Sequence, residues 1–140
     1  MPKTPDELLA FLASLGIETS TVRHPPLFTV EESQRLRGDI GGAHTKNLFL
    51  KDKKDNYFLL TLDEALLEML GVPPGGVTAF GLINDVAKRV TFFLDSRLAE
   101  AAVVNAHPLT NEATTSIATD DLKRFVEATG HSLTVLNFGS

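Results

Sequence analysis

Hydrophobic residues at helical spacing predict a helix near the start of the chain. Thr4 and Glu7 have the spacing of a capping box, and Pro5 suits the first helical turn. Four apolar residues follow at intervals that place them on one helical face: Leu8, Phe11, Leu12 and Leu15. Gly16 stands at a position typical of a helix end. We therefore predict a first helix that begins after Thr4 and ends at Gly16.

Further along the chain, short apolar runs predict strands between stretches of helical spacing. The predicted strands cover residues 17–22, 46–50, 57–61, 77–83, 89–94, 114–118 and 133–138. Helices are predicted over 62–70, from a capping box at Thr29 and Glu32 to just before Gly38, and from Thr119 to Gly130. Glycines predict a loop over 38–42. Because helices and strands do not alternate regularly, we predict an α+β fold: a single domain over 1–140 with a mixed, largely antiparallel central sheet flanked by helices.

Composition limits the class of protein. A chain of 140 residues, 43% of them hydrophobic, suits one globular core. The absence of cysteine excludes disulfides, thiolate nucleophiles and cysteine-ligated zinc. The apolar runs are much shorter than the roughly 20 residues that span a bilayer, and the N-terminus lacks the pattern of a signal peptide. We expect a cytoplasmic protein without a membrane partner.

Charge bears on nucleic-acid binding. The chain has 13 basic and 18 acidic residues and a net charge of −5. Proteins that hold long nucleic acids through their phosphates are normally basic, so we expect no DNA partner and only local contacts to any RNA. The strands predicted over 46–50 and 57–61 flank a polar turn and form a predicted hairpin, and four lysines on it are candidates for such contacts: Lys46, Lys51, Lys53 and Lys54.

Histidines and serines do not form a recognisable catalytic or metal-binding motif. His24, His44, His107 and His131 are isolated in the sequence, and His24 and His107 each precede a proline, as structural turn residues often do. No serine lies in a nucleophile elbow of the G-x-S-x-G type. We expect neither a metal nor a cofactor.

Three irregular segments are candidates for a functional site. Residues 44–47 place Lys46 at the start of a strand, where its charge could meet a phosphate or an oxyanion, or could simply be solvated. Residues 71–85 place Gly81 in an apolar strand, which indicates a bulge with a free N–H or a close approach to a ligand. Residues 105–111 offer uncharged hydrogen-bonding groups, suited to orienting water or to capping a loop.

The same segments resemble a known family. Four motifs occur in order: 24–32 (HPPLFTVEE), 42–52 (GAHTKNLFLKD), 70–85 (LGVPPGGVTAFGLIND) and 107–115 (HPLTNEATT). They resemble the YbaK-type, prolyl-tRNA synthetase-associated editing domains, in particular the free-standing bacterial prolyl-tRNA deacylases. Two departures are visible: family members commonly carry a further helix and strand between Thr61 and Leu62, and commonly have serine where Gly76 stands.

The resemblance implies a site and a reaction. Lys46, Gly81 and His107 would be the catalytic residues, with the Gly81 N–H holding the carbonyl oxygen, Lys46 near the RNA 3′ end and His107 orienting the reactants. The implied substrate-binding residues are Phe28, Val30, Leu36, Thr45, Asn47, Thr78, Phe80 and Asn111. The apolar members of that set would form the pocket wall. Because an aminoacyl ester is already activated, a positioned water and a stabilised oxyanion suffice for hydrolysis.

The implied function is trans-editing hydrolysis of mischarged tRNA(Pro), with Ala-tRNA(Pro) as the expected substrate. A proline pocket rejects alanine weakly, and a second, smaller pocket supplies the remaining discrimination. The partners would be the acceptor end of mischarged tRNA and, as a further candidate, prolyl-tRNA synthetase. Two alternatives remain open: a non-catalytic module of the same fold that binds tRNA or protein, and an editing enzyme specific for cysteine or serine on tRNA(Pro).

Overall fold

The computed structural model describes residues 2–26, 30–63 and 78–137. The helices in these residues are α1 (Pro5–Ser14), α2 (Val30–Asp39), α3 (Ser96–Ala99) and α4 (Thr119–Ala128), with a 3₁₀ helix at Ala79–Asn84. The strands are β1 (Thr19–Arg23), β2 (Ala43–Lys51), β3 (Tyr57–Asp63), β4 (Val90–Asp95), β5 (Val103–Ala106), β6 (Ala113–Ala118) and β7 (Leu133–Leu136).

Local sequence signals place α1 where it was predicted. The Thr4 hydroxyl accepts a hydrogen bond from the Glu7 N–H at 3.2 Å, and the Glu7 carboxylate accepts one from the Thr4 N–H at 3.1 Å. This reciprocal capping box satisfies donors that a helix start otherwise leaves unpaired. Gly16 follows the helix with φ +75°, a conformation that glycine adopts without steric cost. The predicted first helix is confirmed.

The seven described strands form one mixed sheet in the order β1-β6-β5-β2-β3-β4-β7. Of the six strand pairings among the described residues, β1·β6, β2·β3 and β5·β6 are antiparallel, and β2·β5, β3·β4 and β4·β7 are parallel. The α+β class and the mixed sheet are confirmed, but the sheet is not largely antiparallel. Parallel neighbours need crossover connections, and the chain makes one between β4 and β7 through α3, β5, β6 and α4.

One predicted element is wrong within the described residues, and the predicted start of another is displaced. The strand predicted over 77–83 is instead the 3₁₀ helix, with Thr78 as its N-cap, so no hairpin pairs this segment with β4. Leu62 belongs to β3 and does not begin a helix, while the rest of the predicted helix at 62–70 lies outside the described residues. A short apolar run has no decisive period, which explains both errors.

Other boundaries shift by a few residues. The helix α2 continues through Gly38 to Asp39, so the predicted glycine loop is shorter than 38–42. Its predicted cap, Thr29, lies outside the described residues. The strand β5 was not predicted, because it has only four residues and includes a polar one, Asn105. The helix α4 begins at Thr119, but Ala118 is its N-cap residue and no side chain caps it.

The hydrophobic core lies between one face of the sheet and the helical elements α1, α4 and the 3₁₀ helix. Phe80, Phe92 and Phe125 are fully buried there. The Phe125 ring makes edge contacts with Phe80 at 5.3 Å and with Phe11 at 6.1 Å. This packing fixes the sheet that carries the candidate site.

No helix in the described ranges is long and apolar enough to cross a membrane.

Candidate functional site

The fold gathers distant residues where four adjacent strands begin or end. The parallel pair β2 and β5 is in register at Ala43 with Val104 and at His44 with Asn105. The chain then leaves β5 into His107, while β6 lies between β5 and β1 and places His24 on its other side. The predicted site segments at 44–47 and 105–111 therefore meet, and His24 joins them.

Asn105 connects β2 to β5 through a buried side chain that is only 2% exposed. Its Nδ2 donates to the carbonyl oxygens of Gly41 at 3.0 Å and Ala43 at 3.1 Å, and its Oδ1 accepts from the Ser116 hydroxyl. Gly42, between the two carbonyls, has φ +98°, and a Cβ there would lie 3.0 Å from the same Nδ2. A glycine at 42 therefore lets the chain enter β2 against Asn105.

His107 is held in one protonation state by its position. Its Nδ1 lies 2.8 Å from the Ala113 carbonyl oxygen, and since a carbonyl only accepts, Nδ1 carries the proton. Nε2 then has the lone pair, and it has no hydrogen-bond partner among the described residues. Burial lowers the pKa of His107, the Ala113 hydrogen bond raises it, and the positive charges of His24, Lys46 and His44 lower it further, for a net decrease. His107 is therefore neutral at pH 7, with Nε2 able to accept a proton.

His24 is a member of the site that sequence reasoning assigned to a structural turn. Its ring centroid lies 6.1 Å from that of His107 in an edge arrangement. Its Nδ1 donates to the Pro25 carbonyl at 2.8 Å, and its Nε2 shares a hydrogen bond of 2.8 Å with the Thr114 hydroxyl. The repeated His-Pro dipeptide at 24–25 and 107–108 was the available signal, because both copies follow the end of a strand.

Three predicted residues of β2 have different surroundings. Lys46 is half-buried, and its positive charge acts on His107. Asn47 is buried, and its Oδ1 accepts from the Thr61 hydroxyl on β3. Thr45 donates its hydroxyl to the Asn105 carbonyl at 2.8 Å, so this hydroxyl also links β2 to β5.

His44 supports the strand start beneath Lys46. Its ring is buried, and its Nε2 donates to the Ile40 carbonyl at 3.0 Å. This bond links the end of α2 to the first residues of β2.

The 3₁₀ helix changes the predicted roles of its residues. The Gly81 N–H donates to the Thr78 carbonyl at 3.0 Å, so the free N–H predicted for the carbonyl oxygen of a substrate is already engaged. Phe80 is fully buried against Phe125 and does not form an open pocket wall. Thr78 is buried, and its hydroxyl accepts from the Phe80 N–H at 3.2 Å as a helix cap. Both predicted roles fail because a local helix satisfies the backbone and turns the aromatic ring inward.

Four further residues were predicted to bind substrate. Phe28 and the side chain of Val30 lie outside the described residues. Leu36 is half-buried on α2, and Asn111 is half-buried in the loop between β5 and β6.

A strained residue lies next to His107. Leu109 has φ +64°, and its N–H donates to the His107 carbonyl at 3.0 Å. The left-handed region costs a residue with a Cβ about 1–2 kcal/mol. Such strain persists where surrounding contacts hold it, as they do often at functional sites.

Within the described ranges, no group of three or more histidine or acidic side chains is arranged to hold a metal ion.

The chain is similar to known proteins. The aminoacyl-tRNA editing domain family matches residues 62–125. "Prolyl-tRNA synthetase associated domain-containing protein 1" of Danio rerio is 37% identical over 158 residues, covering 94% of this chain and 86% of the relative. "Prolyl-tRNA editing protein ProX" of Acetoanaerobium sticklandii is 27% identical over 150 residues, covering 89% of this chain and 92% of the relative.

Solved structures agree on the fold. A protein described as a candidate trans-editing enzyme for prolyl tRNA synthetase superposes with a TM-score of 0.59 at 17% identity, covering 98% of this chain and 99% of its own. The family match and the similar relatives identify the class as the aminoacyl-tRNA editing domains. Within that class, the chain belongs to the YbaK-type, prolyl-tRNA synthetase-associated family.

Proposed function

We propose that the protein is a trans-editing deacylase that hydrolyses the ester of mischarged tRNA(Pro), with Ala-tRNA(Pro) as its substrate. The observation that carries this proposal is the neutral His107, whose Nδ1 is anchored to Ala113 and whose Nε2 is available beside Lys46. A neutral imidazole next to a fixed positive charge suits the hydrolysis of an activated ester that ends in a phosphorylated chain.

His107 orients the attacking group in this mechanism. Its Nε2 accepts a hydrogen bond from a water or from the free ribose hydroxyl next to the ester. As the water oxygen bonds to the ester carbonyl carbon to give a tetrahedral oxyanion, one water proton passes to Nε2, and this proton is later delivered to the ribose oxygen. The carbon–oxygen bond to the ribose breaks, the ribose oxygen gains a proton, and the free amino acid leaves.

Lys46 supplies the positive charge. Its ammonium group faces the 3′-terminal phosphate or ribose and so positions the ester against His107. The Gly81 N–H takes no part, because it is bonded to the Thr78 carbonyl. Phe28, Val30 and Leu36 remain candidates for the apolar wall that admits alanine and excludes proline.

A panel of charged tRNAs tests the proposal. The protein is mixed with tRNA(Pro) carrying labelled alanine, cysteine, serine or proline, and release of the label is followed with time. We expect alanine to be released fastest and proline to be spared. Faster release of cysteine or serine would assign the alternative specificity.

Lys46→Ala should lower the rate of alanine release, while Lys123→Ala should not. Lys123 is a suitable control because it lies on α4 in an exposed pair, 3.8 Å from Asp120. A protein that binds uncharged tRNA(Pro) but releases none of the four amino acids would be a non-catalytic module, and the proposal would be wrong.

A further inference from the structure

An aromatic stack lies on the β2–β3 hairpin, away from the histidines. The ring of Phe49 stacks on that of Tyr57, with centroids 5.7 Å apart and planes within 11°. The Arg89 guanidinium lies 4.7 Å from the centre of the Tyr57 ring. Phe49 is nevertheless 51% exposed, so Tyr57 covers only part of it. Two residues therefore support an aromatic ring that the protein leaves open to solvent.

A cavity of about 360 Å³ opens beside this ring. Phe49, Leu59, Leu82 and Leu109 form apolar parts of its wall, and Gly81 adds open space, because a Cβ there would meet nothing within 4 Å. A volume of this size accommodates a small ligand. A flat group stacked on Phe49 would have room to enter.

The hairpin of β2 and β3 carries four lysines against three aspartates, a net charge of +1 in a chain of net charge −5. Lys51 belongs to β2 and pairs loosely with Asp55 at 3.4 Å, with both side chains more than half exposed, and Lys53 and Lys54 lie in the turn. Exposed pairs of this kind contribute little energy, so phosphates can compete for the lysine. A basic surface with an open aromatic ring is the combination that binds single-stranded nucleic acid.

The stack also lies within reach of the proposed site. Among the described strands, β2 pairs with β5 only at Ala43 and His44, and its residues 48–51 pair only with β3. Lys46 and Phe49 are three residues apart, roughly 10 Å along a strand, and alternation places them on opposite faces. An RNA strand that crosses this part of β2 could reach both.

We propose that Phe49, supported by Tyr57 and Arg89, is a stacking platform for an unpaired base near the 3′ end of tRNA. This inference rests on the proposed function for the identity of the RNA. It assigns the hairpin to binding and leaves hydrolysis to the residues near His107. Stacking is tolerant of base identity, because every base has a flat face.

Binding to uncharged RNA tests the platform without reference to hydrolysis. Two fluorescent RNA hairpins with the same acceptor-stem duplex are compared, one with an unpaired ACCA 3′ end and one with a blunt end, by anisotropy at fixed salt. We expect Phe49→Leu to weaken binding of the ACCA hairpin on the order of tenfold. Phe49→Tyr should retain binding, because it keeps the aromatic face.

Leu50→Ala is the matched control. Leu50 is 47% exposed on the same strand, but alternation places it on the opposite face from Phe49. The control should bind the ACCA hairpin like the wild type, and Phe49→Leu should not change the weaker binding of the blunt hairpin. Circular dichroism establishes that each variant is folded.

Equal binding of the ACCA hairpin by the wild type and Phe49→Leu would overturn the platform, whether or not the protein hydrolyses Ala-tRNA(Pro). If the wild-type protein binds the ACCA hairpin in a Phe49-dependent way but does not hydrolyse Ala-tRNA(Pro), only the proposed function is refuted. Light scattering compares the oligomeric state of Phe49→Leu with that of the wild type. If the oligomeric state changes and RNA binding does not, a second copy of the chain covers the ring, and the proposal is overturned.

Discussion

Replacing Asn105 with alanine should destabilise the protein and displace Lys46. The side chain makes three hydrogen bonds: two from Nδ2, to the carbonyls of Gly41 and Ala43, and one to Oδ1 from Ser116. At about 1 kcal/mol for each buried bond, Asn105→Ala should lower the free energy of unfolding by about 3 kcal/mol. For a chain of this length, that corresponds to a fall of about 12 °C in the melting temperature.

Ser116→Ala provides the internal control, because it removes only one of the three bonds. As a single change, Ser116→Ala should lower the free energy of unfolding by about 1 kcal/mol. In the Asn105→Ala background it should lower it by almost nothing, because the partner of the Ser116 hydroxyl is already absent. Urea unfolding of the two single variants and the double variant gives this coupling energy directly.

The activity of Asn105→Ala should fall as well. Asn105 fixes Ala43, three residues before Lys46 on the same strand. A displacement of about 1 Å in a positioning group can cost on the order of a hundredfold in rate. The rate is measured well below the melting temperatures of the wild type and of Asn105→Ala. If Asn105→Ala melts within 1–2 °C of Ser116→Ala, the bonds to Gly41 and Ala43 contribute nothing, and the reasoning is refuted.

Four shorter predictions follow. Asp85 accepts hydrogen bonds from His131 and from the N–H groups of Arg89 and Val90, and although burial raises its pKa, these bonds lower it overall; Asp85→Asn should cost about 1–3 kcal/mol in urea unfolding at pH 7, and this difference should disappear as the pH falls through the lowered pKa. Because burial lowers the pKa of His107, deacylation should stay constant across the range in which an ordinary histidine titrates and decline only at lower pH; a decline beginning above pH 7 would contradict this. Thr4→Ala should lower stability by about 1 kcal/mol in urea unfolding, through loss of the capping box with Glu7, whereas an unchanged midpoint would show that the cap is dispensable. Exhaustive chelation should leave deacylation unchanged, and a loss that zinc restores would refute a metal-independent mechanism.

The sequence was informative where the determining interactions are local. The first helix was predicted from Thr4, Pro5, Glu7 and the apolar spacing that follows, all within a few residues. The β2–β3 hairpin was predicted from two apolar runs around a polar turn, and Asp52 organises that turn by accepting from two backbone N–H groups. All of these signals come from residues that are close to one another in the sequence.

Prediction failed where the partner comes from elsewhere in the chain. The segment 78–84 was assigned to a strand, because an apolar run with a glycine does not distinguish a strand from a 3₁₀ helix. His24 was left out of the site, because only the sheet order β1-β6-β5 brings its ring to His107. The motif indicated Lys46 and His107 as site residues, and the charge of Lys46 acts on His107, but the motif could not show that the Gly81 N–H is engaged.

The most direct test of the account is the single-turnover rate of Ala-tRNA(Pro) hydrolysis by His107→Asn. Asparagine can still donate an N–H toward the Ala113 carbonyl, so the loop keeps its anchor, but the group equivalent to Nε2 is lost. The account predicts a melting temperature close to that of the wild type and a rate lower by about 100-fold or more. A folded His107→Asn protein that hydrolyses Ala-tRNA(Pro) at the wild-type rate would contradict the assignment of this site.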